Sequence, residues 1–85
     1  MEIKNINEKV GEKIYCVCIV NVCDSIQGYY NNLNEARKKA QHEYELFNGE
    51  FAIDIQEMVW NQKEKEYVFD DSTDFIIETL GIENL

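Results

Sequence analysis

The chain has 85 residues, of which 45% are hydrophobic and 29% charged, and its formal net charge is −9 at pH 7. Residues 1–49 hold seven acidic and six basic side chains, whereas residues 50–85 hold ten acidic and two basic ones. A field this one-sided disfavours nucleic acid and anionic membrane as direct partners and favours a basic protein surface. The N-terminus lacks the apolar stretch of a secretory signal, and no apolar run is long enough to span a bilayer, so we expect one cytoplasmic domain over residues 1–85.

The N-terminal part predicts a short helix or a loosely attached arm over residues 1–10, followed by strands over residues 13–22 and 26–30. In the first ten residues, apolar side chains are spaced among polar ones, and Gly11 ends the pattern. The first strand is apolar on both faces, which is typical of a central strand that is covered on both sides. One face carries Ile14, Cys16, Cys18, Val20 and Val22, and the other carries Tyr15, Val17 and Ile19.

The main helix is predicted over residues 33–47, where apolar side chains recur at helical spacing. Asn32 precedes it and supplies a side chain that can cap its first turn. Ala36 and Ala40 lie on its apolar side, and they are small enough to let the helix lie close to a sheet. The Asn-Gly pair at residues 48–49 predicts a left-handed stop after the helix.

The C-terminal half predicts two strands and a short last helix. The strands cover residues 51–60 and 66–70, where apolar and polar side chains mostly alternate, and a charged connection over residues 61–65 joins them. The last helix covers residues 73–80, with acidic and hydroxyl side chains available before it as caps.

The resulting order is β-β-α-β-β-α, which predicts a small α+β domain of two layers. We expect an antiparallel sheet of about four strands with the main helix across one face and the short C-terminal helix beside it. One helix cannot cover both faces of a strand as apolar as residues 13–22. The second face therefore requires the C-terminal helix, a second copy of the chain or a partner.

The three cysteines and the single histidine raise the alternatives of a zinc site and a catalytic thiol. Structural zinc sites place their cysteines on turns, in pairs two residues apart, whereas Cys16 and Cys18 share one face of a strand and His42 lies on the polar side of the helix. A catalytic thiol needs an accessible sulfur beside a base. The sequence therefore favours reduced core cysteines and predicts no metal, no cofactor and no catalytic residue.

Acidic and aromatic side chains of the C-terminal half are the candidate binding residues. Exposed carboxylates attract a basic partner, and aromatic side chains dominate binding hot spots when they are exposed. Carboxylates before the last helix are also explained by the favourable interaction of negative charge with a helix N-terminus. The predicted partner-binding set is Glu57, Trp60, Glu64, Glu66, Tyr67, Asp70, Asp71, Asp74 and Glu78.

In size, acidity and element order, the chain resembles the small acidic proteins of phages and mobile elements. Some of these, including anti-CRISPR and DNA-mimic proteins, block the nucleic-acid-handling machinery of the host. The resemblance implies a non-catalytic inhibitor that docks on a basic, nucleic-acid-binding surface of a host protein without touching nucleic acid itself. The alternatives are a structural homodimer or assembly subunit with an apolar sheet-face interface and, third, a small enzyme or metal-binding protein.

Overall fold

The computed structural model describes residues 2–22, 25–70 and 74–81. Within those ranges the chain forms one α-helix and six strands of a single antiparallel sheet, which confirms the predicted α+β class. The helix is not long and apolar enough to cross a membrane. In chain order the elements are β1 (Glu2–Ile3), β2 (Lys13–Ile19), β3 (Ile26–Tyr30), α1 (Leu33–Leu46), β4 (Ile53–Asn61), β5 (Glu66–Val68) and β6 (Ile76–Leu80).

The two central strands of the sheet are β2 and β4. They pair in an unbroken antiparallel register, from Lys13 opposite Val59 to Ile19 opposite Ile53. Strands β3 and then β1 follow on the outer side of β2. On the other side of β4, β5 pairs with the end of that strand and β6 with its beginning. Strands β5 and β6 therefore pair with the same edge of β4, and residues 69–75, which join them in the chain, are called the β5–β6 connection below.

The helix packs across one face of the sheet, and small residues on its apolar side allow the close approach. Asn32 caps the helix as predicted, since its side chain accepts a hydrogen bond from the Glu35 N–H at 3.2 Å. Ala36 and Ala40 are fully buried. Residues 48–49 have positive φ values, which confirms the predicted left-handed stop. The buried core on this face consists of Val17, Ile19, Ala36, Ala40, Ile53 and Ile55.

The second face of the sheet carries a separate core, which the N-terminal residues help to cover. Residues 4–12 run past β5, where the Tyr67 N–H donates to the Ile6 carbonyl at 3.0 Å. The Tyr67 hydroxyl also accepts hydrogen bonds from the Val10 N–H at 2.8 Å and the Gly11 N–H at 3.0 Å. These bonds hold the segment against the sheet. The buried members of this core are Ile3, Ile14, Cys16, Met58 and Tyr67.

The C-terminal helix predicted over residues 73–80 is wrong, because Ile76–Leu80 forms strand β6. Its β-branched side chains suit an extended conformation, and the free edge of β4 gives it a hydrogen-bonding partner. The predicted caps at residues 71–72 lie outside the described residues. The prediction of four strands is also too low, because β6 and the N-terminal strand β1 join the sheet. The cover expected from a last helix comes instead from the N-terminal side chains Ile3 and Ile6.

Candidate partner-binding surface

Several of the predicted acidic binding residues lie along the sheet edge that β5 and β6 form beside β4. Glu64 is exposed in the turn after β4, and Glu66 begins β5 and is half-buried. Asp70 and Asp74 belong to the β5–β6 connection, where Asp70 is half-buried and Asp74 is exposed. These four carboxylates lie in the turn before β5, in β5 itself and in the residues between β5 and β6, and we call them the acidic edge. Asp71, which is also predicted to bind a partner, lies outside the described residues.

The charge of this edge is concentrated after the turn. Within the turn, Lys63 and Lys65 flank Glu64, and all three are exposed, so the turn adds little net charge. From Glu66 to Glu78 the sequence contains five acidic residues and no basic one. The negative charge is therefore concentrated in the sequence from Glu66 to Glu78.

The two remaining carboxylates of the predicted set are already paired with cations. Glu57 lies 3.4 Å from Lys13 Nζ, and Glu78 accepts a 2.7 Å hydrogen bond from Arg37 Nε on the helix. Both pairs are partly exposed, so each adds little stability, but each reduces the local negative charge. The register of β4 with β2 and β6 also places Glu57 and Glu78 on the helix side of the sheet. They are therefore weaker candidates than the acidic edge.

The structure separates the two predicted aromatic anchors. Tyr67 is 1% exposed, and its ring packs edge-on against Trp60 with centroids 5.1 Å apart, so it belongs to the core and has no surface to offer a partner. Trp60 is half-buried, and its indole N–H donates to Gln62 Oε1 at 2.9 Å. With Phe69 and Asp70 it lines a depression of about 450 Å³, called the Trp60 hollow below.

Phe69 is a candidate binding residue that the sequence analysis did not select. It is half-buried, and its ring centroid lies 5.0 Å from that of Phe75, so the first and last residues of the β5–β6 connection are in contact. Phe69 lines both the Trp60 hollow and a neighbouring groove of about 340 Å³. The sequence signal for it was its position directly before the acidic pair at residues 70–71.

The groove beside Phe69 combines apolar walls with a polar floor. Val22 and Ile26 contribute to the walls and are 42% and 45% exposed. Cys18 and Asp54 contribute to the floor, where they occupy opposing positions of β2 and β4. We call this depression the Asp54 groove.

Asp54 is an unusual group at this place because it is a carboxylate that is only 8% exposed. Its Oδ1 atom accepts a 2.8 Å hydrogen bond from the Thr79 hydroxyl, and Oδ2 receives only a 3.5 Å contact from the Gln56 amide. Among the described residues, no lysine or arginine pairs with it. Glu43, which is also buried, has Lys39 Nζ at 2.8 Å. Asp54 thus differs from Glu43 in having neutral donors alone.

The sulfurs of Cys16 and Cys18 lie 3.2 Å apart, and both cysteines are free thiols. The hydrogen bond from Cys16 lowers the pKa of Cys18, although burial and the nearby Asp54 carboxylate oppose that decrease. The same hydrogen bond and burial raise the pKa of Cys16. In the described ranges, no three histidine, cysteine or acidic side chains are grouped to hold a metal ion. His42 is exposed on the helix, and Cys23 lies outside the described residues.

Comparisons with known proteins assign no family to the chain. It matches no protein-family model, no curated protein and no solved structure. The function of this surface is therefore inferred from its geometry and charge.

Proposed function

We propose that this protein is a non-catalytic interaction module whose acidic edge docks on a basic protein surface. The partner is a host protein with a nucleic-acid-binding surface, as it is for inhibitors of the anti-CRISPR or DNA-mimic type. The observation that carries the proposal is the acidic run from Glu66 to Glu78, which contains no basic residue and whose described members lie along one sheet edge.

Charge and apolar area have different roles in this proposal. Clustered carboxylates accelerate association with a basic partner, and this effect weakens when salt screens the charges. The rings of Trp60 and Phe69, which are partly exposed beside the acidic edge, add desolvated contact area that slows dissociation.

The test compares two double charge reversals in a pull-down from a bacterial lysate at low salt. Glu66→Lys with Asp70→Lys removes half of the acidic edge. Glu45→Lys with Glu50→Lys makes the same change in net charge, from −9 to −5, but places it at exposed positions before the start of β4. We expect the wild type and the Glu45/Glu50 variant to retain a basic protein that the Glu66/Asp70 variant loses. A high-salt wash should release that protein.

Two results would contradict the proposal. Equal loss of the captured protein from both variants would show that net charge alone matters and that no localised surface exists. Retention by both variants and through the high-salt wash would show that the acidity serves solubility. Circular dichroism and urea unfolding of each variant establish that the fold is intact.

A homodimer is the second candidate function, and the edge of β6 favours it. In the described part of the chain β6 pairs only with β4, and Ile76 and Ile77 are 41% and 37% exposed. An edge strand with apolar side chains and no lysine or proline is a template for pairing with a second chain. Apolar association holds or strengthens at high salt, so a dimer in sedimentation at high salt supports this candidate, and a monomer at all salt concentrations excludes it.

A further inference from the structure

We propose that the Asp54 groove receives the side chain of a lysine from the basic partner. The inference rests on the proposed function, because the lysine belongs to the protein on which the acidic edge docks. Three observations carry it: the apolar walls of the groove, a buried carboxylate that pairs with no cation of the described residues, and the position of Phe69 between the groove and the Trp60 hollow.

The walls of the groove match the stem of a lysine side chain. A lysine buries its four methylene groups along apolar surface and keeps its ammonium group at a polar site. Val22 and Ile26 leave nearly half of their surface exposed at the groove, so a methylene chain would cover them. The ring of Phe69 adds an aromatic surface that attracts a cation.

The floor of the groove matches the ammonium group. A buried carboxylate is costly unless it is paired, and the two side-chain donors to Asp54, from Thr79 and Gln56, are neutral. An ammonium at Oδ2 would form a charge-assisted hydrogen bond, which is roughly twice as strong as a neutral one.

The hydrogen bonds of the two Asp54 carboxylate oxygens favour lysine over arginine as the bound side chain. Its Oδ1 atom already accepts a hydrogen bond from Thr79 at 2.8 Å, so Oδ2 is the oxygen with capacity to spare. A guanidinium group binds best when it reaches both oxygens of a carboxylate, whereas an ammonium group acts as a point charge. The groove therefore suits a single donor.

The reactivity of the Cys18 thiol provides an independent measure of cation binding in this groove. Cys16 and Asp54 are the titratable groups that influence the pKa of Cys18. A bound alkylammonium occupies the groove that Cys18 lines, so it blocks the approach of iodoacetamide to the sulfur. Saturating amounts of a suitable amine should therefore protect Cys18 from iodoacetamide in a Cys23→Ala background.

The experiment titrates the whole protein with small compounds and follows the amide signals of Cys18 and Asp54 by nuclear magnetic resonance. n-Butylammonium reproduces the lysine side chain, methylammonium lacks the stem, n-butanol lacks the charge, and n-propylguanidinium reproduces arginine. We expect saturable binding of n-butylammonium, and binding at least tenfold weaker for each of the other three compounds.

Two variants locate the site. Asp54→Asn removes the charge but keeps an acceptor for Thr79, and it should weaken n-butylammonium binding at least tenfold. Ile26→Ser changes an exposed wall residue, so it tests the groove in a variant that is expected to keep the fold, and binding should weaken several-fold. The Glu45/Glu50 double reversal changes no residue that lines the groove, and it should leave amine binding within twofold of the wild type.

The inference is overturned if n-butylammonium shows no saturable shift, if Asp54→Asn binds it equally well, or if n-propylguanidinium binds more tightly. The outcomes also separate this inference from the proposed function. Amine binding without capture of any basic protein leaves the groove as a cation site and refutes the proposed function. Capture that depends on the acidic edge, without amine binding, refutes the groove.

Discussion

The Tyr67 hydroxyl lies where the N-terminal segment crosses the second face of the sheet. It donates to the Gly11 carbonyl at 2.5 Å and accepts from the N–H groups of Val10 and Gly11. One side-chain oxygen thus satisfies three backbone groups of a segment that has no regular secondary structure there. The alternation of strand residues places Tyr67 on a face, but it carries no information about which distant segment covers that face. For this reason the sequence predicts that Tyr67 contacts a partner and not residues 10–11 of its own chain.

Replacing Tyr67 with phenylalanine should destabilise the protein by about 1–3 kcal/mol, because three partly buried hydrogen bonds to the backbone would be lost. The matched control is Tyr15→Phe, since the Tyr15 hydroxyl makes no hydrogen bond to the described residues, and its cost should stay below about 0.5 kcal/mol. Urea unfolding measures both changes. Faster hydrogen exchange at Val10 and Gly11 in Tyr67→Phe alone would show that the lost stability comes from the N-terminal segment. Equal decreases in unfolding free energy for the two variants would contradict this role of the Tyr67 hydroxyl.

Because of the Cys16 and Cys18 thiols, the free energy of unfolding should change with pH in two stages. The lowered pKa of Cys18 means that the folded state releases this proton before the unfolded chain does, so stability rises as pH increases toward the ordinary thiol value of 9.0. Above that value the unfolded chain loses both protons while the raised pKa of Cys16 keeps one in the folded state, so stability falls.

Two variants of Cys16 test the hydrogen bond between the Cys16 and Cys18 thiols. Cys16→Ala removes the donor and should move the iodoacetamide alkylation profile of Cys18 to higher pH, whereas Cys16→Ser retains a donor and should move it less. The rates are measured in a Cys23→Ala background, where Cys18 is the thiol that remains. Identical profiles for the alanine and serine variants would exclude the hydrogen bond as the cause of the lowered pKa.

At the scale of elements, local patterns predicted β2, β3, α1 and β4, because burial on both faces, helical periodicity and caps are properties of neighbouring residues. Strand β6 was mistaken for a helix because Phe75, Ile76 and Leu80 also fit helical spacing. Pairing with the free edge of β4 overrides that local preference, and no short-range signal reports it. The same limit applies to the binding surface, since the acidic run is visible in the sequence but the Asp54 groove exists only once β2 and β4 are paired.

A pair of alanine substitutions in β6 tests the strand and its orientation. Leu80 packs against the core on the helix side, opposite Ile53, so Leu80→Ala should cost about 1–3 kcal/mol in unfolding free energy. Ile77 is 37% exposed beside the bulge in this strand, and Ile77→Ala should cost less than about 0.5 kcal/mol. Urea denaturation gives both values, and a larger cost at Ile77 would mean that the strand presents its other side to the core.

At the scale of the whole molecule, the net charge of −9 works against the compact state. The five ion pairs found among the described residues involve cations that are mostly exposed, so they offset only part of the repulsion. Much of the remaining negative charge lies on the C-terminal half, where a basic partner would relieve it.

Salt should therefore stabilise the free protein. Raising the ionic strength from about 0.01 M to about 1 M shortens the Debye length from about 30 Å to about 3 Å, and the thermal midpoint should rise because repulsion falls more than attraction. The Glu45/Glu50 double reversal, with a net charge of −5, should show a smaller rise. A midpoint that decreases with salt would mean that attraction within ion pairs outweighs the repulsion.

The position of the central strands also bears on how the chain folds during synthesis. Strand β2 is synthesised early, whereas its neighbour β4 begins only at Ile53. The hydroxyl that hydrogen-bonds the N-terminal segment comes later still, because it belongs to Tyr67. Most pairings that hold the sheet together therefore join residues far apart in the chain, a topology associated with slow folding. Until Tyr67 emerges from the ribosome, strand β2, which is apolar on both faces, is not fully covered. The thiols of Cys16 and Cys18 should therefore be most accessible to thiol reagents in the nascent chain.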